Sequence, residues 1–354
     1  MYTGRVEANF GKIYNVLNEL FKESRVRASE LKVIIERLNR DYIMGNVDIK
    51  GEKDALGYLL YFLPENIPKI YFVLKEVNTR FGDILSRIEQ VYDLGCGVGT
   101  ATVMIKALSM IDKPIVLIDK NPIMLEMAKR VLGRIGDGEA VTMCLDFLQS
   151  FIPPHSPSLY IIMNTLSENY RKREGVVGFI HRLLKENPMN LLVIIEPVNK
   201  QAGDVLAMLK REFNSCVLSP CIEEGDCPML EKEESICCYK IRQDISIALE
   251  AVINAGHRMA KFYYLVLSQT RIRQGKNLFR VLNYPSERRY GFDLQVCSGR
   301  EIYSLKLKVR NSMEKRFIKV VSPNDIIRLD VDRILDNSSV LPCQFNIFYS
   351  LNYF

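Results

Sequence analysis

The stretch Asp93-Leu94-Gly95-Cys96-Gly97-Val98-Gly99 places three glycines on alternate positions between an apolar run, Val91-Tyr92-Asp93-Leu94, and a helix candidate over Thr102–Met110. Glycine lets a backbone turn sharply and approach a bound molecule with no Cβ in the way. A strand, a glycine turn and a helix in that order therefore read as a ligand cradle. A dinucleotide site has the same parts but asks for G-x-G-x-x-G. Counted from Gly95 the third glycine would fall on Thr100, and counted from Gly97 on Thr102, so that spacing fails.

Outward from this loop the pattern repeats. Short apolar runs at Ile115–Ile118, Val141–Leu145, Leu159–Met163 and Leu191–Ile195 alternate with helix candidates at Pro122–Ile135, Tyr170–Glu186 and Ala202–Phe213. Near-continuous apolar strands separated by helices imply a parallel, doubly wound sheet covered on both faces. Two further strands, Cys216–Ser219 and Phe262–Ser268, fit the antiparallel pair that ends such a sheet, with about 220–256 as a cysteine-rich insertion. Before residue 85 the sequence reads as helical, with Ala28-Ser29-Glu30-Leu31 opening one helix. Two more candidates, Asp54–Phe62 and Pro68–Val77, are separated by Pro64. Tyr58, Tyr61, Tyr71 and Phe72 read most simply as core, with an RNA-facing aromatic stripe as the alternative. The expected division is a helical region over 1–85, a ligand-binding α/β domain over 86–270 and a basic β unit over 271–354.

Composition bounds the function. The chain has 354 residues, is 48% hydrophobic and carries a net charge of +6. No apolar run reaches the roughly 18 residues that span a bilayer, so no membrane partner is expected. The first residues do not resemble a signal peptide or a clear transit peptide, which points to the cytoplasm, or to the mitochondrion were the source eukaryotic. Nine cysteines in a reducing compartment point to metal or catalysis rather than disulfides.

The packed D-L-G-C-G-V-G form, with its acid two residues before the first glycine, resembles motif I of class I S-adenosylmethionine-dependent methyltransferases. That resemblance implies a Rossmann-like, seven-stranded α/β domain with S-adenosylmethionine as cofactor. Asp93 would lie beside its amino-acid moiety and Gly95, Gly97 and Gly99 along it. Asp119, closing the second strand about 20 residues on, would accept the ribose hydroxyls, and Asp146 would meet the adenine amino group. Each acid also has a plainer reading, since strand-ending acids cap the next helix. Asn164, after the fourth strand, joins the cofactor set, and Asn164 and Glu168 are candidates to line the target pocket. The Asn/Asp-Pro-Pro-aromatic motif of amino-group methylation is absent from Met163-Asn164-Thr165-Leu166-Ser167-Glu168, and no cysteine nucleophile lies there. The catalytic residue is therefore unassigned. His155, His181 and His257 show no ligand or triad spacing.

Cys221 and Cys227 flank a Pro- and Gly-containing loop, Cys237 and Cys238 follow, and Cys297 comes much later. Thiolates gathered on loops ligate zinc or an iron–sulfur cluster. The plain alternative is a buried thiol, which suits Cys96, Cys144 and Cys216, in or beside core strands. The only C-x₂₋₄-C pair of this group is Cys216 and Cys221, so the spacing favours a cluster over zinc. The string Val217-Leu218-Ser219-Pro220-Cys221, then Cys227-Pro228, then Cys237-Cys238-Tyr239, resembles the methyltransferase-like assembly factors of the mitochondrial small ribosomal subunit and their prokaryotic relatives. Ala55-Leu56-Gly57-Tyr58-Leu59-Leu60-Tyr61-Phe62-Leu63-Pro64, Thr165-Leu166-Ser167-Glu168, Ile195-Glu196-Pro197, Lys261-Phe262-Tyr263-Tyr264-Leu265-Val266-Leu267 and Asp293-Leu294-Gln295-Val296-Cys297 extend the resemblance over roughly 40–325. It implies a [4Fe-4S] cluster on Cys221, Cys227, Cys237 and Cys297, with Cys238 competing for the third place and zinc the alternative metal. It also implies small-subunit ribosomal RNA or the pre-ribosomal small subunit as partner, not DNA. Fifteen Lys or Arg against four Asp or Glu over 256–320 agree with RNA binding. Among them are Arg271/Arg273, Arg288/Arg289 and Lys306/Lys308, interleaved with Phe262, Tyr263, Phe279, Tyr284 and Tyr290. Strand-like segments at Phe292–Cys297, Glu301–Val309 and Arg316–Val321 predict the small β unit. Two functions follow: an RNA methyltransferase, or a non-catalytic assembly factor that keeps its cofactor and cluster.

Overall fold

The apolar runs pair as parallel strands in the computed structural model, which describes residues 3–43, 47–136, 141–232, 236–242, 259–270, 277–289, 291–309, 311–329, 339–340 and 345–349. The chain divides into two units, 1–206 with 238–270, and 207–237 with 271–354. The first unit thus unites the N-terminal helices with the sheet, and most of the cysteine segment groups with the C-terminal part.

In the first unit β1 (Gln90–Leu94), β2 (Ile115–Asp119), β3 (Val141–Cys144), β4 (Ser158–Met163) and β5 (Leu191–Pro197) lie in the order 3-2-1-4-5, all parallel. The short strand β6 (Val217–Ser219) belongs to the second unit. Beside β5 runs β8 (Met259–Leu267), antiparallel, with Leu192 opposite Leu267 and Pro197 opposite Phe262. On the far side of β8 lies β7 (Tyr239–Arg242), also antiparallel. This mixed sheet, with parallel strands inside and antiparallel ones at one edge, is the class I methyltransferase arrangement that motif I implies. Every residue of β4 except Met163 is buried, and every residue of β5 except Pro197. Each such Leu, Ile or Val contributes about 1.5–3 kcal/mol on burial, so these two strands hold the unit's centre. β3 is the exposed edge, with Val141 at 56% and Met143 at 41%.

The connecting helices begin where the chain supplies caps. Helix α4 (Thr100–Leu108) starts at Gly99. Helix α5 (Pro122–Ile135) is capped by Asn121, whose Oδ1 accepts the Ile123 and Met124 amides at 2.9 and 3.3 Å, with Pro122 in the first turn. The one-turn α6 (Phe147–Ser150) is capped by Asp146. A 3₁₀ segment (Ser167–Lys172) leads into α7 (Arg173–Glu186), and α8 (Lys200–Glu212) follows β5.

The N-terminal region departs from expectation in one respect. Besides α1 (Thr3–Ser24) and α2 (Ala28–Ile43) there is a single helix, α3 (Glu52–Arg87), which runs through both Pro64 and Pro68. A mid-helix proline costs about 3 kcal/mol. Twenty residues of α3 are buried, which outweighs that cost, and only Phe81 leaves helical geometry. Phe72 on α3 packs edge-on to Phe262 and Tyr264 of β8, with ring centroids 5.6 and 6.0 Å apart. Below it Glu76, fully buried, pairs with Arg80 and accepts the Tyr264 hydroxyl at 2.8 Å. Phe72 is thus core, while Tyr58, Tyr61 and Tyr71 of the same helix are half-buried. No helix among the described residues is long and apolar enough to cross a membrane.

The second unit carries a sheet in the order β14-β12-β11-β9-β13-β15, with β10 on β11. Its strands are β9 (Leu278–Val281), β10 (Ser286–Arg288), β11 (Gly291–Cys297), β12 (Ile302–Lys308), β13 (Ile326–Leu329), β14 (Ser339–Val340) and β15 (Phe345–Tyr349). All pair antiparallel except β12 with β14. Phe292, Leu294 and Val296 alternate into a core with Leu305, Leu307 and Ile327. The segment Arg316–Val321, expected as a strand, lies mostly on helix α10 (Ser312–Lys319). Asn311 accepts the Glu314 amide at 2.9 Å and starts the helix, and Ile318 inserts into the core. Its short apolar spacing hid a helical one. Before this sheet the unit has the five-residue α9 (Pro228–Lys232).

Candidate functional site

The glycine loop sits at the carboxyl end of β1, where open α/β sheets bind ligands. Gly95, Gly97 and Gly99 all have positive φ, at 68°, 53° and 76°. Their surroundings differ. A Cβ on Gly95 would collide with Thr165, 2.7 Å from its Oγ1, and one on Gly99 would press on Leu117 and Ala128. A Cβ on Gly97 would meet only the Met124 methyl at 3.3 Å and the edge of Tyr58 at 4.0 Å. Gly97 is thus the glycine that borders free space, and Gly99 serves the packing of α4 rather than the cavity wall.

The acids hold this loop. Asp119 accepts the Gly97 amide on one oxygen and the Asn121 amide on the other, both at 2.8 Å. Asp93, 2% exposed, accepts the Thr102 hydroxyl at 2.7 Å and its amide at 3.2 Å. Burial pushes the Asp93 carboxyl up to about 6, against the Thr102 hydrogen bonds that lower it. Asp119 is raised by burial as well, with the Asn121 and Gly97 amides opposing. Asp146 caps α6 by accepting the Leu148 amide at 3.1 Å. The capping reading and the cofactor reading therefore coexist, because a carboxylate oxygen has lone pairs left after one amide.

A cavity of about 700 Å³ opens over the loop. Asp93, Gly95, Gly97, Asp119, Asp146 and Asn164 all line it, together with Tyr58, Asn66, Glu168 and Asn169. Gly99 does not. Asn164 adopts the left-handed conformation at φ 55° and is 9% exposed; its Oδ1 is buried and has no hydrogen-bond partner. A buried acceptor left unmade costs about 1–3 kcal/mol.

What fixes Asn164 is a residue that sequence reasoning passed over. Glu196, at the end of β5 and fully buried, accepts the amides of Thr165 and Leu166 at 2.8 Å each and that of Ser167 at 3.1 Å. The Asn164 amide donates to Ile195 at 2.8 Å. The turn after β4 is thus clamped to the end of β5. Burial raises the Glu196 carboxyl, and the amides pull against it. The available signal was a lone acid ending a wholly apolar strand with no basic partner nearby. Glu168 lies on the same turn with an exposed side, yet burial of its carboxyl, then the Glu196 charge, raise it to about 7. Burial also raises the Tyr58 hydroxyl, with Glu168 and Asp119 next among the causes.

In the second unit Cys221, Cys227, Cys237 and Cys297 are brought within range of one another's charge. Burial pushes the Cys237 thiol far up, and Cys221, Cys227 and Cys297 push it further. Cys297 rises to about 11, burial first, with the Gly299 amide opposing and Cys221 and Cys227 adding. The turn at Gly299 (φ 109°) makes this possible: a Cβ there would stand 2.6 Å from the Glu223 carbonyl, so only glycine lets the β11–β12 hairpin reach the Cys221–Cys227 loop. Two buried cations stand beside the sulfurs. Lys210 is 2% exposed; burial alone would lower its ammonium, but Cys221, Cys227 and Cys237 raise it. Arg280, 3% exposed, donates to the carbonyls of Pro220 and Asn324 and lowers both Cys237 and Cys297. Cys238 is exposed and faces Lys240 and Lys261. Among the described residues no group of three or more His, Cys, Asp or Glu is arranged to hold a metal ion.

Of the residues expected at an RNA surface, Arg271, Arg273 and Tyr290 lie outside the described residues. Phe262 and Phe279 are core. Tyr284 is 68% exposed, and Lys306 and Lys308 stand exposed on one face of β12. Arg288 is paired with Asp293 at 2.7 Å.

Comparison with solved structures returns methyltransferase folds. A candidate RNA methyltransferase from Pyrococcus horikoshii is 12% identical, with 61% of this chain and 86% of that chain covered and a TM-score of 0.35. An rRNA methylase from Streptococcus thermophilus is 12% identical, with 53% and 93% covered and a TM-score of 0.33. The plantazolicin methyltransferase BpumL, solved with SAH, is 12% identical, with 67% and 100% covered and a TM-score of 0.30. Likenesses this distant carry no inference about chemistry. No curated protein matches the chain. A family model does: that of the family described as mitochondrial small ribosomal subunit Rsm22 matches residues 52–312, from the start of α3 through the hairpin that carries Cys297, and the chain belongs to this family.

Proposed function

We propose that the chain binds S-adenosylmethionine over the glycine loop and works on the RNA of the small ribosomal subunit as a methyltransferase-like factor. The observation that carries the cofactor reading is the cavity itself, which gathers Asp93, Gly97, Asp119, Asp146 and the unpartnered Oδ1 of Asn164. An ammonium group suits Asp93, and ribose hydroxyls suit the lone pairs that Asp119 has left. An adenine amino group suits Asp146, which lines the same cavity. The ribosomal reading comes from the family, and the exposed Lys306, Lys308 and Tyr284 supply groups that meet phosphate and an unpaired base.

For the four cysteines we propose a [4Fe-4S] cluster rather than zinc, because they lack the close Cys pairs that zinc sites favour. A mononuclear zinc site needs sulfurs around one point, whereas a cluster takes one cysteine on each of its irons. The charge balance agrees. Two buried cations beside neutral thiols would be costly, while beside a thiolate-bound, negatively charged group they are counter-ions. Cys221, Cys227, Cys237 and Cys297 would hold it, and when bound it would tie the loop to the β11–β12 hairpin and supply a redox-active centre.

Methyl transfer is the part to test. Tritiated S-adenosylmethionine is offered to purified protein with small-subunit RNA and with immature subunits. Label in RNA makes the chain an enzyme. Binding of both cofactor and RNA without label favours an assembly factor, a reading supported by the absence of a nucleophile and of the Asn/Asp-Pro-Pro-aromatic motif on the clamped turn.

A further inference from the structure

The first unit has a second cavity, of about 450 Å³, bounded by α2, α3, the residues after β5 and the start of β8. It adjoins the cofactor cavity, because Asn66 lines both. Its walls carry an unusual combination for a helix–sheet seam. Tyr42 and Tyr61 flank Phe62, with ring centroids 5.4 and 4.9 Å from it, and Tyr58 stacks on Phe62 at 4.6 Å from the cofactor side. Asn39 bonds the Tyr61 hydroxyl. Lys69, 4% exposed, donates to Asn66 Oδ1 at 2.8 Å and lies 3.8 Å from Glu65. Lys261 of β8 completes the wall.

Lys69 spends one N–H on Asn66 and stands near the Glu65 carboxylate, which leaves its ammonium a further donor for an acceptor in the cavity it lines. Burial lowers its ammonium, and Glu65 only partly restores it. Aromatic faces suit a planar heterocycle, amides and Glu65 suit the edge of such a ring, and two lysines suit a phosphate. An apolar side chain would make no use of the amides, the carboxylate and the lysines of this wall, and an arginine or lysine side chain would meet two cations. The shared wall at Asn66 sets the two cavities side by side, so an occupant here would lie next to the cofactor, where the group receiving a methyl has to be.

We infer that this cavity is the acceptor subsite, and that it takes one unpaired nucleotide of RNA, its base among Tyr42, Tyr61 and Asn66 and its phosphate at Lys69 and Lys261. An enzyme or factor that addresses a base must take it out of the stack, and a pocket of stacking faces with a cationic rim receives it. The inference rests on the cofactor reading above.

The probes are the four 5′-mononucleotides, titrated by calorimetry into full-length protein saturated with S-adenosylhomocysteine. At least one should bind. Tyr42→Leu and Lys261→Gln should each weaken it about tenfold, the scale of one stacking or phosphate contact, while S-adenosylhomocysteine affinity stays within about twofold and the circular dichroism spectrum is unchanged. Lys261→Arg, which keeps the charge, should restore most of the affinity. If S-adenosylhomocysteine binds but no mononucleotide does, or if both variants bind like the parent, the subsite is wrong and the cofactor reading stands. Binding of a methyl-accepting peptide in place of nucleotides would also overturn it. If S-adenosylhomocysteine itself does not bind, the cofactor reading fails and takes this inference with it.

Discussion

Glu196→Gln tests whether the turn after β4 is held as described. The carboxylate accepts three amides, two on Oε1 and one on Oε2. Glutamine with its oxygen in the Oε1 place keeps the Thr165 and Leu166 bonds as neutral ones, each weaker by about 1 kcal/mol than a charge-assisted bond. Its amino group then faces the Ser167 N–H, which leaves one buried donor unmade at about 1–3 kcal/mol. Relief of the buried charge returns part of this, since burial raises the Glu196 carboxyl. The net loss is about 2–3 kcal/mol, which for a domain of 150–250 residues lowers Tm by about 4–12 °C. Asn164 loses its fixed geometry with the turn, so cofactor affinity should fall about tenfold, the worth of one hydrogen bond. Thermal unfolding and calorimetric titration with S-adenosylhomocysteine read the two effects. A variant that melts within about 1 °C of the parent and binds equally well would refute the clamp.

Asp93 should make the first unit more stable in mild acid. Its carboxyl is raised from 3.8 to about 6, so its contribution is fully present below about 4 and is lost as pH rises through about 6. Two pH units at full burial correspond to about 3 kcal/mol; thermal unfolding from pH 4.5 to 7.5 should show this slope in the parent and lose it in Asp93→Asn. Lys210→Met should leave protein that folds but holds less iron after anaerobic purification, because a counter-charge to the proposed cluster is gone; equal iron content would remove Lys210 from the site. Cys237→Ser should lose the brown chromophore while Cys238→Ser keeps it, and the reverse result would exchange the two ligands. Replacing Lys306 and Lys308 with Gln should weaken small-subunit RNA binding and make it less salt-dependent by about two counterions, with S-adenosylhomocysteine affinity unchanged; parental binding would move the RNA surface elsewhere.

The sheet and its loop were legible because their signals are local. A fully buried parallel strand such as β5 has to be apolar along its length, and a glycine cradle has to follow β1. Two elements escaped for opposite reasons. Pro64 and Pro68 read as breaks, yet α3 continues because twenty of its residues are buried, a tertiary effect no local signal carries. The helix Ser312–Lys319 read in part as a strand because it is short and has few buried residues. At the site, Asp93, Asp119, Asp146 and Asn164, named from the resemblance to motif I and their places after the strands, all line the cavity. Tyr58 and Asn66 could not be named in this way, since both reach the cavity from α3, distant in the chain, and Glu196 could not, since it acts only through the turn it clamps. The cysteines were visible as a set, but the two buried cations beside them were not: nothing in the sequence marks Lys210 or Arg280 off from the other forty-six basic residues.

The most direct measurement is a calorimetric titration of S-adenosylmethionine into the parent protein and into Gly97→Val. The valine would need a β-branched side chain at φ 53°, directed at the Met124 methyl and the free space of the cavity. The parent should bind one-to-one, and a variant whose circular dichroism and melting remain close to the parent's should not bind. A parent that binds no S-adenosylmethionine, or a folded Gly97→Val that binds it as tightly, would show that the glycine loop is not the cofactor site.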